Sequence, residues 1–253
     1  MKYIDTHGHL NSEEFSDNVE KYIIEAKKAG VKKIIIPGTN QNDSKIAIEI
    51  ANKYNDVFAM VSLHPTYAYS LSDIKWLNNI DPTKIVGVGE TGIDLYRNTN
   101  PPLEIQEEIF RIHLRYAIKN NLPVAIHTRD AEKETLSILK EKEFYGIKFL
   151  IHCNTMSKEW VKKFLEIGGF ISFSGIVTFK NSDSIKEAMM SVPLNRLLSE
   201  TDAPYLTPTP FRGKMNKPEY VIHTSNFIAE TRNETFEDVI NQLYKNAHSI
   251  FPI

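Results

Sequence analysis

Lys2-Tyr3-Ile4-Asp5-Thr6-His7-Gly8-His9 opens the chain, followed by an amphipathic stretch, Glu14–Ala29, and a second β-branched run, Lys33–Pro37. A short apolar run that ends in polar residues, then a helix-period segment, then another apolar run is the signature of a parallel βα unit. The signature recurs along the chain. Strands are expected at Lys2–His7, Lys33–Pro37, Val57–His64, Ile85–Glu90, Pro123–His127, Lys148–His152, Phe170–Ser174 and Leu197–Asp202. Helices are expected between them at Glu14–Ala29, Asp43–Tyr54, Leu71–Asn79, Leu103–Asn120, Ala131–Lys142, Ser157–Ile167 and Ser184–Ser191. Eight such units close into an α/β architecture, the (β/α)8 TIM barrel, with an open doubly wound sheet as the alternative. Two further helical stretches, Pro218–Thr231 and Glu234–Ala247, follow the eighth strand. With no linker, repeat or low-complexity tract, residues 1–253 read as one barrel domain.

Composition narrows the function classes. Apolar residues make up 42% and charged residues 25% of the 253, ordinary for a globular protein with a core large enough to fold without disulfides. The one cysteine, Cys153, cannot form an intrachain disulfide, which fits a reducing cytoplasm. The first strand begins just after Met1, so no signal peptide is expected, and no apolar run approaches the ~18 residues of a membrane span. A net charge of −2 excludes simple charge-driven binding to nucleic acid. If the substrate is a polyphosphate, metals and local basic residues must supply the attraction.

A barrel enzyme carries its chemistry at the C-terminal ends of its strands. Of the eight histidines, His7, His9, His64, His127 and His152 fall at expected strand ends, whereas His113, His223 and His248 fall in expected helices. A histidine at a single strand end is most often a hydrogen-bonded core residue. Four separate strand ends carrying one point instead to a metal site. The fourth and eighth strands add Glu90 and Asp202. In an extended segment residues two apart share a face, so His7 and His9 can hold one cation together, with Asp5 orienting an imidazole behind them. Glu90 has two oxygens and can bridge two ions, His127 and His152 can hold the second, and Asp202 can complete the first and take the proton of an attacking water. That set suits hydrolysis assisted by two divalent ions, Mg²⁺, Mn²⁺ or Zn²⁺, since mixed imidazole and carboxylate donors accept each of them. A cysteine nucleophile fits less well: beside His152 in a strand, Cys153 would face away from the site.

The chain resembles the TatD family of metal-dependent deoxyribonucleases, within the amidohydrolase-like barrels. The motifs that carry the resemblance span nearly the whole chain. They are Asp5-Thr6-His7-Gly8-His9-Leu10, Leu63-His64-Pro65, Gly89-Glu90-Thr91-Gly92-Ile93-Asp94, Pro123-Val124-Ala125-Ile126-His127-Thr128-Arg129 and Ile151-His152-Cys153. Phe173-Ser174-Gly175-Ile176-Val177-Thr178-Phe179-Lys180, Glu200-Thr201-Asp202-Ala203-Pro204-Tyr205-Leu206 and Arg212-Gly213-Lys214-Met215-Asn216-Lys217-Pro218 complete the set. The resemblance implies that His7, His9, Glu90 and Asp202 bind one divalent ion and that Glu90, His127 and His152 bind the other. It implies DNA phosphodiester hydrolysis, in several members 3′→5′ exonuclease action in DNA repair or degradation. His64 resembles the family's additional histidine, linked to phosphate; a buttress at the barrel rim before Pro65 is the alternative. Two positions depart from the family pattern. Gly8 stands where cysteine or another small residue is usual, and Asn154-Thr155-Met156 replaces the usual Phe-Ser-Gly after the strand 6 histidine and cysteine, at the expected substrate wall.

Further candidates for substrate contact lie outside this set. Arg129 shares the parity of His127 and can meet a phosphate oxygen, or else anchor a loop by a salt bridge. Asp94, Tyr96 and Arg97 are expected in a loop lining the cleft, where Tyr96 can stack on a base. Arg212 and Asn216 are placed to clamp substrate or to cap the following helix. Two other functions compete with a DNase that needs no membrane or obligate protein partner. An amide or ester hydrolase such as a D-aminoacyl-tRNA deacylase is one. Many barrels of that class bridge their metals with a carboxylated lysine at the end of strand 4, where this chain has Glu90, with Lys84 at the opposite end. A non-catalytic nucleic-acid-binding protein is the other, disfavoured because no expected ligand is missing and no basic run is present.

Overall fold

The computed structural model describes residues 1–81 and 85–253. Lys84 lies outside the described residues. Eight parallel strands follow one another around a single sheet, each paired with the next in sequence: β1 (Tyr3–Asp5), β2 (Val31–Ile36), β3 (Val57–Val61), β4 (Ile85–Asp94), β5 (Val124–Arg129), β6 (Phe149–Ile151), β7 (Phe170–Phe173) and β8 (Leu197–Ser199). The order is that of a (β/α)8 barrel, as the alternation of the sequence requires. Past the last residues of β8 and β1 the chain closes the seam through its backbone. Asp202 N donates to His7 O (2.8 Å) and His9 N to Ala203 O (2.7 Å).

Helices α1 (Val19–Ala29), α2 (Gln41–Lys53), α3 (Leu103–Asn120), α4 (Glu132–Leu139), α5 (Lys158–Glu166) and α6 (Asp183–Ser191) connect the strands, and α7 (Val221–Thr231) and α8 (Phe236–Ile250) complete the chain. Leu71–Asn79, expected as a helix, is a 3₁₀ helix started by a capping box between Ser70 and Asp73. Alternation along the strands divides the apolar residues into two sets. Ile4, Ile35, Met60, Val86, Ala125, Leu150 and Leu198 fill the barrel interior, which Ala247, Ile250 and Phe251 from the end of α8 close from below. The larger set packs the outer faces of the strands against the helices.

Strand β4 is longer than expected and bears directly on the site. Its pairing with β5 shifts from Val88↔Val124 to Thr91↔Ile126, so one extra residue is accommodated around Gly89-Glu90. Such a bulge redirects a side chain at a strand end. The displaced backbone is satisfied elsewhere: Glu90 N donates to Gly38 O (3.1 Å), Gly38 N to Gly89 O (3.2 Å), and the Ser62 hydroxyl to Glu90 O. Beyond the bulge Gly92, at φ 138°, lies so close to β5 that a Cβ would sit 2.0 Å from His127 O. Glycine there lets β4 continue to Asp94 instead of ending at Glu90.

Candidate metal centre

Strand parity brings the polar residues to the mouth of the barrel. Above Ala125 in the interior stands His127, above Leu150 stands His152 just past β6, and Glu200 and Asp202 follow β8, Asp202 in a left-handed turn of the backbone at φ 56°. Glu90, turned inward by its bulge, occupies the centre. Its Oε1 lies 2.8 Å from His127 Nδ1, 2.8 Å from His152 Nε2 and 3.3 Å from His64 Nε2. Its Oε2 lies 3.4 Å from His7 Nε2 and 3.6 Å from His9 Nε2. Asp202 Oδ1 faces the same two rings, at 3.4 Å from His9 Nε2 and 4.0 Å from His7 Nε2. The His7 and His152 rings stack at 3.9 Å.

Burial and mutual charge set the protonation of this cluster. Burial pushes the Glu90 carboxyl up, but the charges of His152 and His64 and the hydrogen bonds from His127 and His152 outweigh it and hold the group well below the usual carboxylate range. Burial opposes charge on His152 as well, yet Glu90 and Glu200 hold its pKa well above the ordinary value. His7 is pushed down, by burial first and then by His152. Asp202 is held low against burial by His9, His152 and His7.

Within the cluster three groups have ligand atoms within 4.8 Å of one another: His7, His152 and Asp202; His7, His9 and Glu90; and His64, Glu90 and His127. His64 therefore reaches the cluster itself and is not confined to the rim. The fit to a cation rests on His7. The residue is fully buried, and among the described residues neither Nδ1 nor Nε2 makes a hydrogen bond, although Nε2 stands 3.4 Å from Glu90 Oε2. A buried imidazole without partners is costly, and a cation on a ring nitrogen relieves that cost.

Two carboxylates stand behind the ring of histidines. Glu200, fully buried, accepts from His152 Nδ1 (3.1 Å) and from the Cys153 amide (2.6 Å). With Nδ1 committed to Glu200, Nε2 is the nitrogen left on the Glu90 side, where it would meet a metal ion. The sequence reading missed Glu200, although its spacing from Leu198 and Asp202 places it on the same face. Asp94 is the second. It was expected in a substrate-lining loop but lies on β4, where Oδ2 contacts His127 Nε2 (2.9 Å) and Oδ1 accepts from Tyr96 N and Asn100 Nδ2.

The remaining candidates make the following contacts within the chain. Asp5 orients no imidazole; its oxygens bind the Thr201 amide and hydroxyl (2.8 and 2.6 Å), and burial pushes its pKa up to about 8 against those bonds. The buried carboxyl ties the start of the barrel to its last strand end. Asn216 is fully buried and donates to Thr201 O and Tyr205 O, so its amide is consumed in shaping the loop after β8. Arg212 lies over the Phe179 ring (3.6 Å) and reaches Thr207 O, strapping two loops together. Arg129 makes no salt bridge among the described residues. Strand β5 does continue to it, and its guanidinium stacks over Tyr96 at 4.8 Å.

In the departing loop, Asn154 and Met156 are buried. Cys153 lies past the end of β6 with φ 45°, where strand parity no longer applies. Its thiol contacts Ser174 Oγ (3.1 Å), and burial, followed by the charges of Asp202 and Glu200, pushes its pKa well above the usual thiol range, which disfavours a thiolate nucleophile. His113, read as a helical residue, is a neutral brace: Nε2 accepts from Leu63 N (3.0 Å) and Nδ1 meets Thr91 Oγ1 (2.8 Å), linking the segments that carry His64 and Glu90. A cleft of about 390 Å³ opens above the cluster, bounded by His9, His64, Glu90 and Asp202 and by Thr39, Asn40 and Asp43 at the start of α2. Among the described residues no helix is long and apolar enough to cross a membrane.

Known proteins share this arrangement of chain. The Bacillus subtilis protein YabD, named as an uncharacterized metal-dependent hydrolase, is 37% identical over 252 residues, covering 98% of each chain. Escherichia coli YcfH, under the same kind of name, is 32% identical over 257 residues, covering 100% of this chain and 97% of its own. The crystal structure of YjjV, a TatD homologue from Escherichia coli, superposes with a TM-score of 0.93 at 28% identity, over 99% of this chain and 98% of the other. The model of TatD-related DNases matches residues 4–252, from the first strand to the end of the chain, and on that match the protein belongs to the TatD family.

Proposed function

We propose that this protein is a metal-dependent hydrolase that cleaves DNA phosphodiester bonds with two divalent ions, Mg²⁺, Mn²⁺ or Zn²⁺. The observation that carries the reading is Glu90, a single carboxylate with five imidazole nitrogens within 3.6 Å of its two oxygens and Asp202 beside two of them. His7, His9, Glu90 and Asp202 would hold one ion, and Glu90, His127 and His152 the other. Bound there, divalent ions supply Lewis-acid activation of water and neutralise charge on a phosphoryl group.

The chain's own groups do the rest. Asp202, held ionised at the edge of the cleft, takes the proton of the attacking water on its carboxylate. Glu90 stays ionised, so both its oxygens remain available to bridge. Glu200 and Asp94 fix the rings of His152 and His127. At His64 the Thr66 amide donates to Nδ1 (3.3 Å), which leaves Nε2 as the nitrogen that carries hydrogen, suited to donate to a phosphate oxygen. The family model, that of TatD-related DNases, favours DNA as the substrate.

The test is metal-stripped protein reconstituted with each of the three ions and assayed on end-labelled single- and double-stranded DNA. Cleavage is expected only with metal, and is expected to disappear in Glu90→Ala and Asp202→Asn. Undiminished cleavage by both variants overturns the site. D-aminoacyl-tRNA is assayed in parallel, and efficient deacylation without DNA cleavage overturns the DNase reading.

A further inference from the structure

The cleft has two walls of different chemistry, and one of them is unexplained by hydrolysis. Several large apolar side chains are exposed across the surface, and five of them, Tyr67, Tyr69, Leu71, Tyr96 and Tyr205, lie in the loops after β3, β4 and β8. Those loops surround the mouth of the barrel. Scattered exposed aromatics need no explanation, whereas a group around a catalytic mouth marks a binding surface.

Two of these rings line the cleft itself, Tyr67 at 51% exposure and Tyr205 at 56%. Each stands edge-on to a histidine of the metal cluster. Tyr67 is 6.5 Å from the His64 ring, on the Oε1 side of Glu90, and Tyr205 is 6.3 Å from the His9 ring, on the Oε2 side.

Both rings stand on braced backbone. Tyr67 ends a 3₁₀ turn begun by Pro65, with its amide bonded to His64 O (2.9 Å). Tyr205 N donates to Asp202 O (2.9 Å), and its carbonyl accepts the buried Asn216 amide (2.6 Å). A tyrosine on a fixed backbone has only two torsions to order, so an exposed ring makes an inexpensive stacking platform. The polar groups nearby are differently engaged: Asn40 Oδ1 caps α2 through Asp43 N, and the Asp43 carboxylate accepts from Thr39. Among the described residues that bound this cleft, Tyr67 and Tyr205 carry the broad aromatic faces outside the histidines.

We infer that Tyr67 and Tyr205 form a subsite for an unpaired nucleobase, which places the scissile phosphodiester of single-stranded DNA over Glu90. The inference rests on the DNase reading above and deepens it. A base can lie against these rings only after it leaves its stack and its pairing partner, so the subsite selects single strands and frayed ends over intact duplex. It reads the aromatic face and is indifferent to base identity.

The experiment measures binding by fluorescence anisotropy, in the presence of Mn²⁺, with labelled single-stranded oligonucleotides protected by phosphorothioate linkages. One ends in a normal nucleotide and the other in an abasic residue. Removing either ring, as Tyr67→Leu or Tyr205→Leu, is expected to weaken binding of the normal end about five- to a hundredfold and to leave the abasic end unchanged. Tyr67→Phe and Tyr205→Phe are expected to bind as the native protein does, because the ring and not the hydroxyl makes the contact. Native protein that binds both ends alike, or leucine variants that bind both as tightly as native, overturns the subsite. If the native protein still cleaves unprotected DNA in that case, the DNase reading stands without it. Failure to bind or cleave DNA at all overturns both, as does a loss in the leucine variants confined to D-aminoacyl-tRNA.

Discussion

Replacing Glu200 by glutamine tests whether a buried carboxylate outside the ring of candidate ligands governs metal affinity. The substitution keeps the shape of the side chain and a carbonyl oxygen able to accept from His152 Nδ1 and the Cys153 amide, at present 3.1 and 2.6 Å from Oε1. What it removes is charge. A hydrogen bond to a charged group contributes ~1.5–3 kcal/mol against ~0.5–1.5 for a neutral one, so about 1 kcal/mol is lost per bond. Two bonds give about 2 kcal/mol, or about thirtyfold in a binding constant. That lies within the roughly 10- to 100-fold seen when an outer partner of a ligand histidine is altered. The assay is Mn²⁺ binding by isothermal titration calorimetry on Glu200→Gln and native protein, with urea unfolding of the metal-stripped proteins alongside. Some loss of metal-free stability together with weaker Mn²⁺ binding is the expected outcome. A variant that loses metal-free stability but binds Mn²⁺ as the native protein does would show that Glu200 merely packs the loop after β6, and the orienting role would be refuted.

Three further outcomes are expected. Metal added to stripped protein raises the unfolding temperature, by an increment equivalent to about 2.7 kcal/mol at a hundredfold excess over Kd; Glu90→Ala abolishes the rise, and an equal rise in that variant refutes the shared carboxylate. Burial lowers the pKa of His113 from 6.5 to about 3, so the unfolded chain gains a proton below pH 6.5 that the folded chain refuses, and the stability due to neutral His113, complete above pH 6.5, is lost as pH falls. Between about pH 7 and about pH 5 native protein should therefore lose about 2 kcal/mol more than His113→Gln in urea unfolding, and parallel curves would contradict this. Gly92→Ala would set a Cβ 2.0 Å from His127 O and should cost at least about 3 kcal/mol. Gly146→Ala, at φ 83° with nothing within 4 Å, should cost only the ~1 kcal/mol of a left-handed backbone; equal losses in urea unfolding would show that close approach is not what fixes Gly92.

The barrel and part of the ring of candidate ligands were legible because they follow from local periodicity, whereas His7 and His9 lie an odd number of positions beyond the interior Ile4 and Glu90 is turned inward by a bulge. Each strand alternates, so a residue an even number of positions beyond an interior Ala125 or Leu150 projects to the mouth, and His127 and His152 obey that count. Glu200 obeys it as well, from Leu198, but Asp202, two residues on in the same acidic run, carries the same signal in the sequence. Asp94 failed for a different reason. The strand expected to end at Glu90 runs on to Asp94 because a bulge is accommodated at Gly89-Glu90 and Gly92 admits close packing of β5, and neither is decided by local propensity.

Substrate contacts were the least legible, and Asn216 and Tyr205 show why. Asn216 is polar, lies in a loop and follows a run of donors, which are the marks of a binding residue; its amide is nonetheless buried and holds the carbonyl of Tyr205. Tyr205, beside Asp202 in the sequence, gave no signal of its own beyond its place in a motif, yet its ring is exposed in the cleft. A loop side chain satisfies its hydrogen bonds inward or leaves its surface open to a ligand, and the choice is made by contacts distant in sequence. The two residues act as one unit: the polar group supplies the rigidity, and the aromatic ring supplies the surface. An Asn216→Ala variant should consequently impair placement of Tyr205 without removing any contact to DNA. Its effect on oligonucleotide binding should shrink when Tyr205 is already leucine, and full additivity of the two substitutions would refute the coupling.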